Sequence, residues 1–401
     1  MSRGPRLALF KLLYFSHYGS VAVVMVAFPS YLRGLGFTGE QIGAAWAPAQ
    51  IAAAPAALLW GAAADKLRAA SKALQLCTAG ALAAMCLLPF ARTPALIGAL
   101  LFVHALFNAG TVPLVDSLTM EAVHGSLEAS YARTRVLGSV GFVVVAQTLG
   151  LVLAARGNLA ADRLVPLALI AMVCWTAVVA TLIRLRRVEV IKISPASSKA
   201  RLRDAARLLR GPILLLLAMN AVHWAALAPY HLLFGVLLRD RGLGAELTGL
   251  AMALGVTAEA LALIAFPRLV RRFSLPVLFA AAFAATAVRW LLVSRASTAP
   301  ELVALQLAHG LSFGLWWGAS VEAMGRLVPP PLRSTGQALF SAVVFGLGNA
   351  AGYSLSGIGY DRFHGAERVF AVAGAVELVL AAIAIGAAVV VARRAAVASP
   401  E

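Results

Sequence analysis

Apolar runs recur along the whole chain, separated by short segments that collect Arg, Lys, Asp and Glu. A helix needs about 20 apolar residues to cross a bilayer, and inside the hydrocarbon the backbone must satisfy its own hydrogen bonds. The runs predict twelve membrane helices, over 7–32, 41–62, 72–90, 95–120, 134–155, 163–184, 211–237, 247–267, 275–294, 300–325, 334–358 and 367–392. The first run follows a basic start, Met1 to Arg6. It is too long for a secretory leader and lacks a small-residue cleavage site, so it is expected to be a retained helix.

The chain is 61% hydrophobic and 13% charged, against about 25% charged residues in a soluble domain. A single soluble core is excluded. The formal charge of +17 would suggest a nucleic-acid partner in a soluble protein, but here the bases lie in loops. With both termini cytoplasmic, 23 Lys or Arg fall in cytoplasmic segments and 9 outside, leaving Arg135 and Arg289 within helices. That asymmetry follows the positive-inside rule. The expected setting is therefore a bacterial cytoplasmic (inner) membrane, with lipid and no nucleic acid as partners. Cys77, Cys86 and Cys174 all sit in apolar segments, so neither a disulfide framework nor a zinc spacing is indicated. No metal or cofactor is expected. A polytopic membrane enzyme would need an Asp-rich, His/Glu or phosphate-cradling motif, which the sequence does not offer; that class and a transport-dead receptor are the alternatives to a carrier.

Shifting the sequence by 206 positions superposes His17 on His223, Ala22 on Ala228, Phe28 on Phe234 and Leu32 on Leu238. The match continues through Arg33/Arg239, Gly36/Gly242, Glu40/Glu246 and Gly43/Gly249 without a gap. Parallel repeats of this kind predict two pseudo-symmetric six-helix bundles with a substrate site between them. The expected domains are 1–185, a basic cytoplasmic linker at 186–210, a second bundle at 211–393 and a tail at 394–401. The linker carries Arg186, Arg187, Lys192, Lys199, Arg201, Arg203, Arg207 and Arg210, a pattern suited to an anionic lipid surface.

A charge at mid-bilayer costs about 2.5–3.5 kcal/mol on insertion scales, so intramembrane charges mark where function is sought first. They are Asp116, Arg135, Glu259, Arg289 and Glu377, with His17, His104, His223 and His309. Each half has an acid on one helix and an Arg on the next: Asp116 with Arg135, and Glu259 with Arg289. Such pairs are either proton-coupling sites or static ion pairs that fix helix packing. His309 has Ser312, Phe313 and Trp316 at i+3, i+4 and i+7, which in a regular helix share one face. His17 and His223, near Tyr14, Tyr18, Trp224 and Tyr230, are candidates for the pathway lining. Gly310, Gly314 and Gly318 form a ridge that lets a neighbouring helix approach.

The loop Gly61-Ala-Ala-Ala-Asp65-Lys66-Leu-Arg68 resembles the loop 2–3 motif of the major facilitator superfamily, Gly-x-x-x-Asp-Arg/Lys-x-Gly-Arg, with Ala69 read at the second Gly. The resemblance implies that Gly61, Asp65, Lys66 and Arg68 form a conformational charge network. Asn108-Ala-Gly110, Pro113, Asp116 and the run from Tyr131 to Phe142 look like the oligosaccharide/nucleoside:proton symporter branch, lactose-permease-like and phenylpropionate-permease-like. In lactose-permease-like members an acid on the fourth helix and an Arg on the fifth hold the sugar; Asp116 and Arg135 fall on those positions, with Asp in place of Glu. Arg289 and His309 match the branch's proton machinery, but Ser312 stands where it has a carboxylate, which leaves Glu259 as the substitute. Thr335-Gly-Gln337 resembles the family as well and offers Gln337 to the cavity.

The function expected is a monomeric secondary active transporter that couples protons to a small organic solute (an aromatic acid, nucleoside or sugar). Proton coupling is assigned to Glu259, Arg289, His309 and Asp116. Substrate binding is assigned to Asp116, Arg135, Asn108, His17, His223, Ser312, Phe313, Trp316 and Gln337. The alternative on the same fold is proton-antiporting efflux, but the fifth helix lacks the Pro that efflux members carry there.

Overall fold

A computed structural model describes residues 3–123, 131–156, 158–186 and 208–398. The chain runs up and down as twelve helical spans. They are α1 (Arg3–Gly34), α2 (Gly39–Leu67), α3 (Ala70–Cys86), α4 (Pro94–Asn108, resumed as Thr111–Val123), α5 (Tyr131–Arg156) and α6 (Asn158–Leu185) in the first half. The second half holds α7 (Gly211–Asp240), α8 (Ala245–Arg272), α9 (Leu275–Val293), α10 (Ala299–Ala304 through Trp316–Leu327), α11 (Arg333–Phe340 through Asn349–Phe363) and α12 (Ala366–Ala398). Eleven of the described helices are long and apolar enough to cross a membrane. The remaining span, α10, is divided by a 3-10 stretch at Leu305–Ala308 and a π-helix at Gly310–Leu315. Most of the proposed linker lies outside the described residues.

Local chemistry sets the ends and breaks. Thr38 caps α2 and Thr298 caps α10, each in a reciprocal capping box with the residue three positions on, Gln41 and Glu301. Pro113 cannot donate to the carbonyl of Ala109, and α4 breaks at Ala109–Gly110. The Trp60 indole fills the gap by donating to the Leu106 carbonyl at 2.8 Å. Arg68 ends α2 in the left-handed conformation, φ 50°, which favours glycine. Arg68 rather than Ala69 therefore occupies the position of the motif's second Gly, and Ala69 stands at the motif's final Arg. Asp65, Lys66 and Arg68 are all exposed.

The internal repeat is visible in the backbone. Gly36 and Gly242 follow the first helix of each half, with φ 88° and 72°. A Cβ on Gly43 would lie 2.4 Å from the Tyr353 carbonyl, and one on Gly249 would lie 2.4 Å from that of Ala146. Glycine thus lets α2 pack on α11 and α8 pack on α5, the two related seams between bundles. The seams tighten towards the end remote from the termini, where Gly39 faces Gly357 and Gly150 faces Ala245. There the Asp361 carboxylate accepts the N–H groups of Gly39 (2.8 Å) and Glu40 (2.7 Å), and Arg239 donates to the Ser30 carbonyl. Asn349 donates to Gln50 across the same seam at 2.8 Å.

The cores follow this division. One buried cluster, including Phe28, Tyr31, Phe234 and Leu237, draws on both bundles at the remote end. Two others, around Phe10, Leu13 and Leu118 and around Phe283, Trp316 and Phe340, belong to single bundles. A Cβ on Gly61, near the other end of α2, would touch nothing within 4 Å. The bundles are clamped at the remote end and separate towards the termini.

Asp361 accepts from the exposed N-terminal turn of a helix, a charge-assisted arrangement worth about 1.5 kcal/mol at the lower end of its range. In a chain lacking Cys77, Cys86 and Cys174, Asp361→Ala is expected to raise maleimide labelling of Ser30→Cys about tenfold. An unchanged labelling rate would assign the clamp to packing alone.

Candidate functional site

The second segment of α4 points Asp116 towards α1 and α5. Tyr14 donates its hydroxyl to Asp116 Oδ1 at 2.6 Å, and Arg135 Nη1 of α5 stands 3.8 Å from the same oxygen. The guanidinium also lies over the rings of Tyr18 (5.3 Å) and Tyr14 (5.8 Å). Both charged side chains keep some access to water, 37% for Arg135 and 23% for Asp116. The expected acid–Arg pair of the first half is thus present, with two tyrosines around it.

The second half solves the same problem differently. Arg289 is 1% exposed, and its guanidinium donates to Gln306 Oε1 and to His309 Nδ1, the latter at 3.1 Å. It sits over Tyr230 (4.6 Å) and Trp290 (4.4 Å). An arginine can only donate, so His309 Nδ1 accepts and the imidazole proton is on Nε2. Nε2 in turn faces Glu259 Oε2 at 3.8 Å. The expected direct Glu259–Arg289 pair is therefore replaced by a relay, Glu259–His309–Arg289. Gln306 and His309 accept from the two terminal nitrogens of the guanidinium, and the faces of Tyr230 and Trp290 cover it.

Across the bundle interface, Arg135 lies within electrostatic reach of Glu259. Tyr18 is likewise within electrostatic reach of Glu259. Arg135 and Tyr18 of the first bundle thus lie within reach of Glu259 in the second.

Other expected residues fall in different places. His17 is buried with its ring edge-on to Tyr18 at 5.3 Å, and Phe313 stacks on His309 at 5.6 Å, so both border the site. Asn108 accepts from Thr111 at 3.3 Å across the break in α4. Gln337 is exposed on the first segment of α11. Ser312, Trp316 and His223 are all fully buried inside the second bundle, which corrects their assignment to substrate. The i, i+3, i+4, i+7 spacing presumes a uniform helix; the π-helix at Gly310–Leu315 breaks that register, and Ser312 and Trp316 are buried within the second bundle. His223 is taken up by Glu377, its Nδ1 lying 2.7 Å from Oε1. Gln306 is the residue the sequence pattern passed over; a polar side chain buried in an apolar span was the available signal.

Two bundles related by an internal repeat, with charges held at their interface, give the architecture of a carrier. The MFS_1 like family model matches residues 7–372. The chain belongs to this family of major facilitator transporters. The maltose permease of Geobacillus stearothermophilus is 28% identical to this MFS_1 like transporter over 350 residues, 86% of the chain and 85% of the permease. Among solved structures, the nucleoside transporter NupG superposes with a TM-score of 0.80 at 17% identity, covering 95% of this chain and 98% of NupG. A POT family transporter in complex with a thioalcohol-conjugated peptide superposes with a TM-score of 0.75 at 10% identity, over 94% and 95% of the two chains. These structural likenesses concern the fold. The protein is an integral membrane transporter and not an enzyme.

Removing one partner of a buried charge is costly, about 3–5 kcal/mol, whereas replacing both partners with apolar groups is often close to neutral. Gln306→Leu in the transporter is therefore expected to lower thermal stability in detergent more than Arg289→Met combined with Gln306→Leu. Equal losses would show that Gln306 does not carry the buried guanidinium.

Proposed function

We propose that this transporter moves a small organic solute together with protons by alternating access. The observation that supports the reading best is the placement of a wet Asp116–Arg135 pair in one bundle opposite the Glu259–His309–Arg289 relay in the other. A carboxylate that can take up a proton while its cationic neighbour is shared with the opposing bundle links protonation to how tightly the bundles hold each other. Protonating Glu259 removes its attraction to Arg135 and frees that guanidinium for a bound solute or for Asp116 alone.

The distribution of 23 and 9 basic residues supports a bacterial inner membrane with both termini cytoplasmic. In that orientation the clamped end faces outwards and the separation between bundles opens to the cytoplasm. The solute binds as to a monomer, against Arg135, Asp116, Tyr14, Tyr18 and His17 on one side and Phe313 and His309 on the other. A cation beside several aromatic rings suits a hydroxyl-rich or aromatic solute. The maltose permease relative and the NupG fold put a sugar and a nucleoside first among the candidates, with an aromatic carboxylate next.

The test is the pH of a weakly buffered suspension of de-energised cells that express the protein, on addition of maltose, uridine or phenylpropionate. The expected outcome is alkalinisation with one of these solutes, abolished by Glu259→Gln. Uptake that stays proton-coupled in Glu259→Gln would remove that residue from the mechanism. Acidification on solute addition would instead favour export by antiport.

A further inference from the structure

The transport site leaves one pair of buried titratable groups unused. His223 of α7 and Glu377 of α12 are both inaccessible to solvent, and Nδ1 lies 2.7 Å from Oε1. The opposite ring nitrogen, Nε2, lies 3.2 Å from the backbone carbonyl of Ser312 in α10. Phe283 and Trp316 close over the imidazole at 5.1 and 4.8 Å.

Hydrogen-bond chemistry fixes how many protons this arrangement holds. The Ser312 carbonyl can only accept, so Nε2 carries a hydrogen. The contact between Nδ1 and Oε1 then needs one more, either as a protonated Glu377 donating to a neutral ring or as an imidazolium donating to a carboxylate. Both forms have the same proton count and no net charge, which reconciles two ionisable groups with complete burial.

The third partner gives the pair a role. In an α-helix the Ser312 carbonyl would accept from Trp316 N–H, but at the end of the π-helix that N–H bonds the Phe313 carbonyl, only three residues back. The Ser312 carbonyl bonds His223 instead. A π-turn inserts one residue, and at 3.6 residues per turn this rotates the two flanking helical segments by about 100° relative to each other. His309 lies just before the π-helix and Trp316 just after it. The turn therefore lets His309 face Arg289 and Glu259 while Trp316 stays in the core. On its other side the same segment is pressed against α8, where a Cβ on Gly310 would lie 2.5 Å from the Ala258 carbonyl.

We propose that His223 and Glu377 are positioning residues: anchored on α7 and α12, they hold the π-turn of α10 and so aim His309 at Arg289 and Glu259. The proposal rests on His309 belonging to the transport site. Its test reads geometry and not flux, so its failure would leave the symport reading standing.

A Cβ on Gly255 would lie 3.4 Å from the Cβ of His309, close to the separation a disulfide spans, about 3.5–4.5 Å. Gly255→Cys with His309→Cys, in a chain otherwise free of cysteine, reports whether α10 presents position 309 to α8. Oxidative cross-linking is expected to be fast in this parent. It is expected to stay fast with Glu377→Gln, whose amide donates to Nδ1 and leaves Nε2 on Ser312. His223→Leu with Glu377→Leu replaces the pair with apolar bulk and is expected to slow cross-linking about tenfold in monodisperse protein, because disulfide geometry is narrow. Equal rates in the leucine variant and the parent would overturn the proposal, as would a slow Glu377→Gln. If the leucine variant does not fold, His223→Phe with Glu377→Met takes its place: slowed cross-linking supports the pair's positioning role and a parental rate refutes it.

Discussion

A charge placed in hydrocarbon must find a partner, water or an enclosure of complementary polar groups, and this requirement organises the protein's interior. The two bundles meet it in contrasting ways. Asp116 and Arg135 pair with each other, accept help from Tyr14 and retain partial exposure. Arg289 is enclosed, held by Gln306, by His309 and by the faces of Tyr230 and Trp290. Under the proposed mechanism the first arrangement responds to a solute, while Arg289 holds His309 beside Glu259.

The repeat survives more clearly in the backbone than in side-chain chemistry. Gly36 and Gly242 turn alike, and Gly43 and Gly249 allow equally close approach of a helix from the opposite bundle. His17 and His223, also equivalent by sequence, have diverged: one borders the Tyr18 side of the site and the other bonds Glu377 within a sealed core. Packing constraints at seams admit little besides glycine, whereas a polar side chain inside a bundle can be reassigned wherever a new partner arises.

The same distinction separates what was legible in the sequence from what was not. The twelve spans and the two bundles follow from apolar run length and the 206-residue register, because the bilayer imposes both. The Asp116–Arg135 pair was legible since adjacent helices must bring them together. The Glu259–His309–Arg289 relay was not, because its geometry depends on Gln306 having already engaged the guanidinium. The π-helix in α10 was equally hidden: no residue in Gly310–Leu315 announces the extra residue per turn, and a face read at regular spacing misplaced Ser312 and Trp316. Glu377 had no visible partner in sequence because His223 lies 154 positions away.

The central claim is that neutralising the charge shared between the bundles changes how they are held together. Spin labels at Lys66→Cys and Arg333→Cys report the separation of the bundles near the termini, and labels at Thr93→Cys and Ser297→Cys report the remote end; all four sites are exposed. Electron–electron dipolar distances would be compared between otherwise cysteine-free protein and its Glu259→Gln form in lipid. Because Glu259→Gln removes the attraction to Arg135, the account expects the first distance to shift to longer values. Distance distributions identical in the two forms at both ends would contradict it.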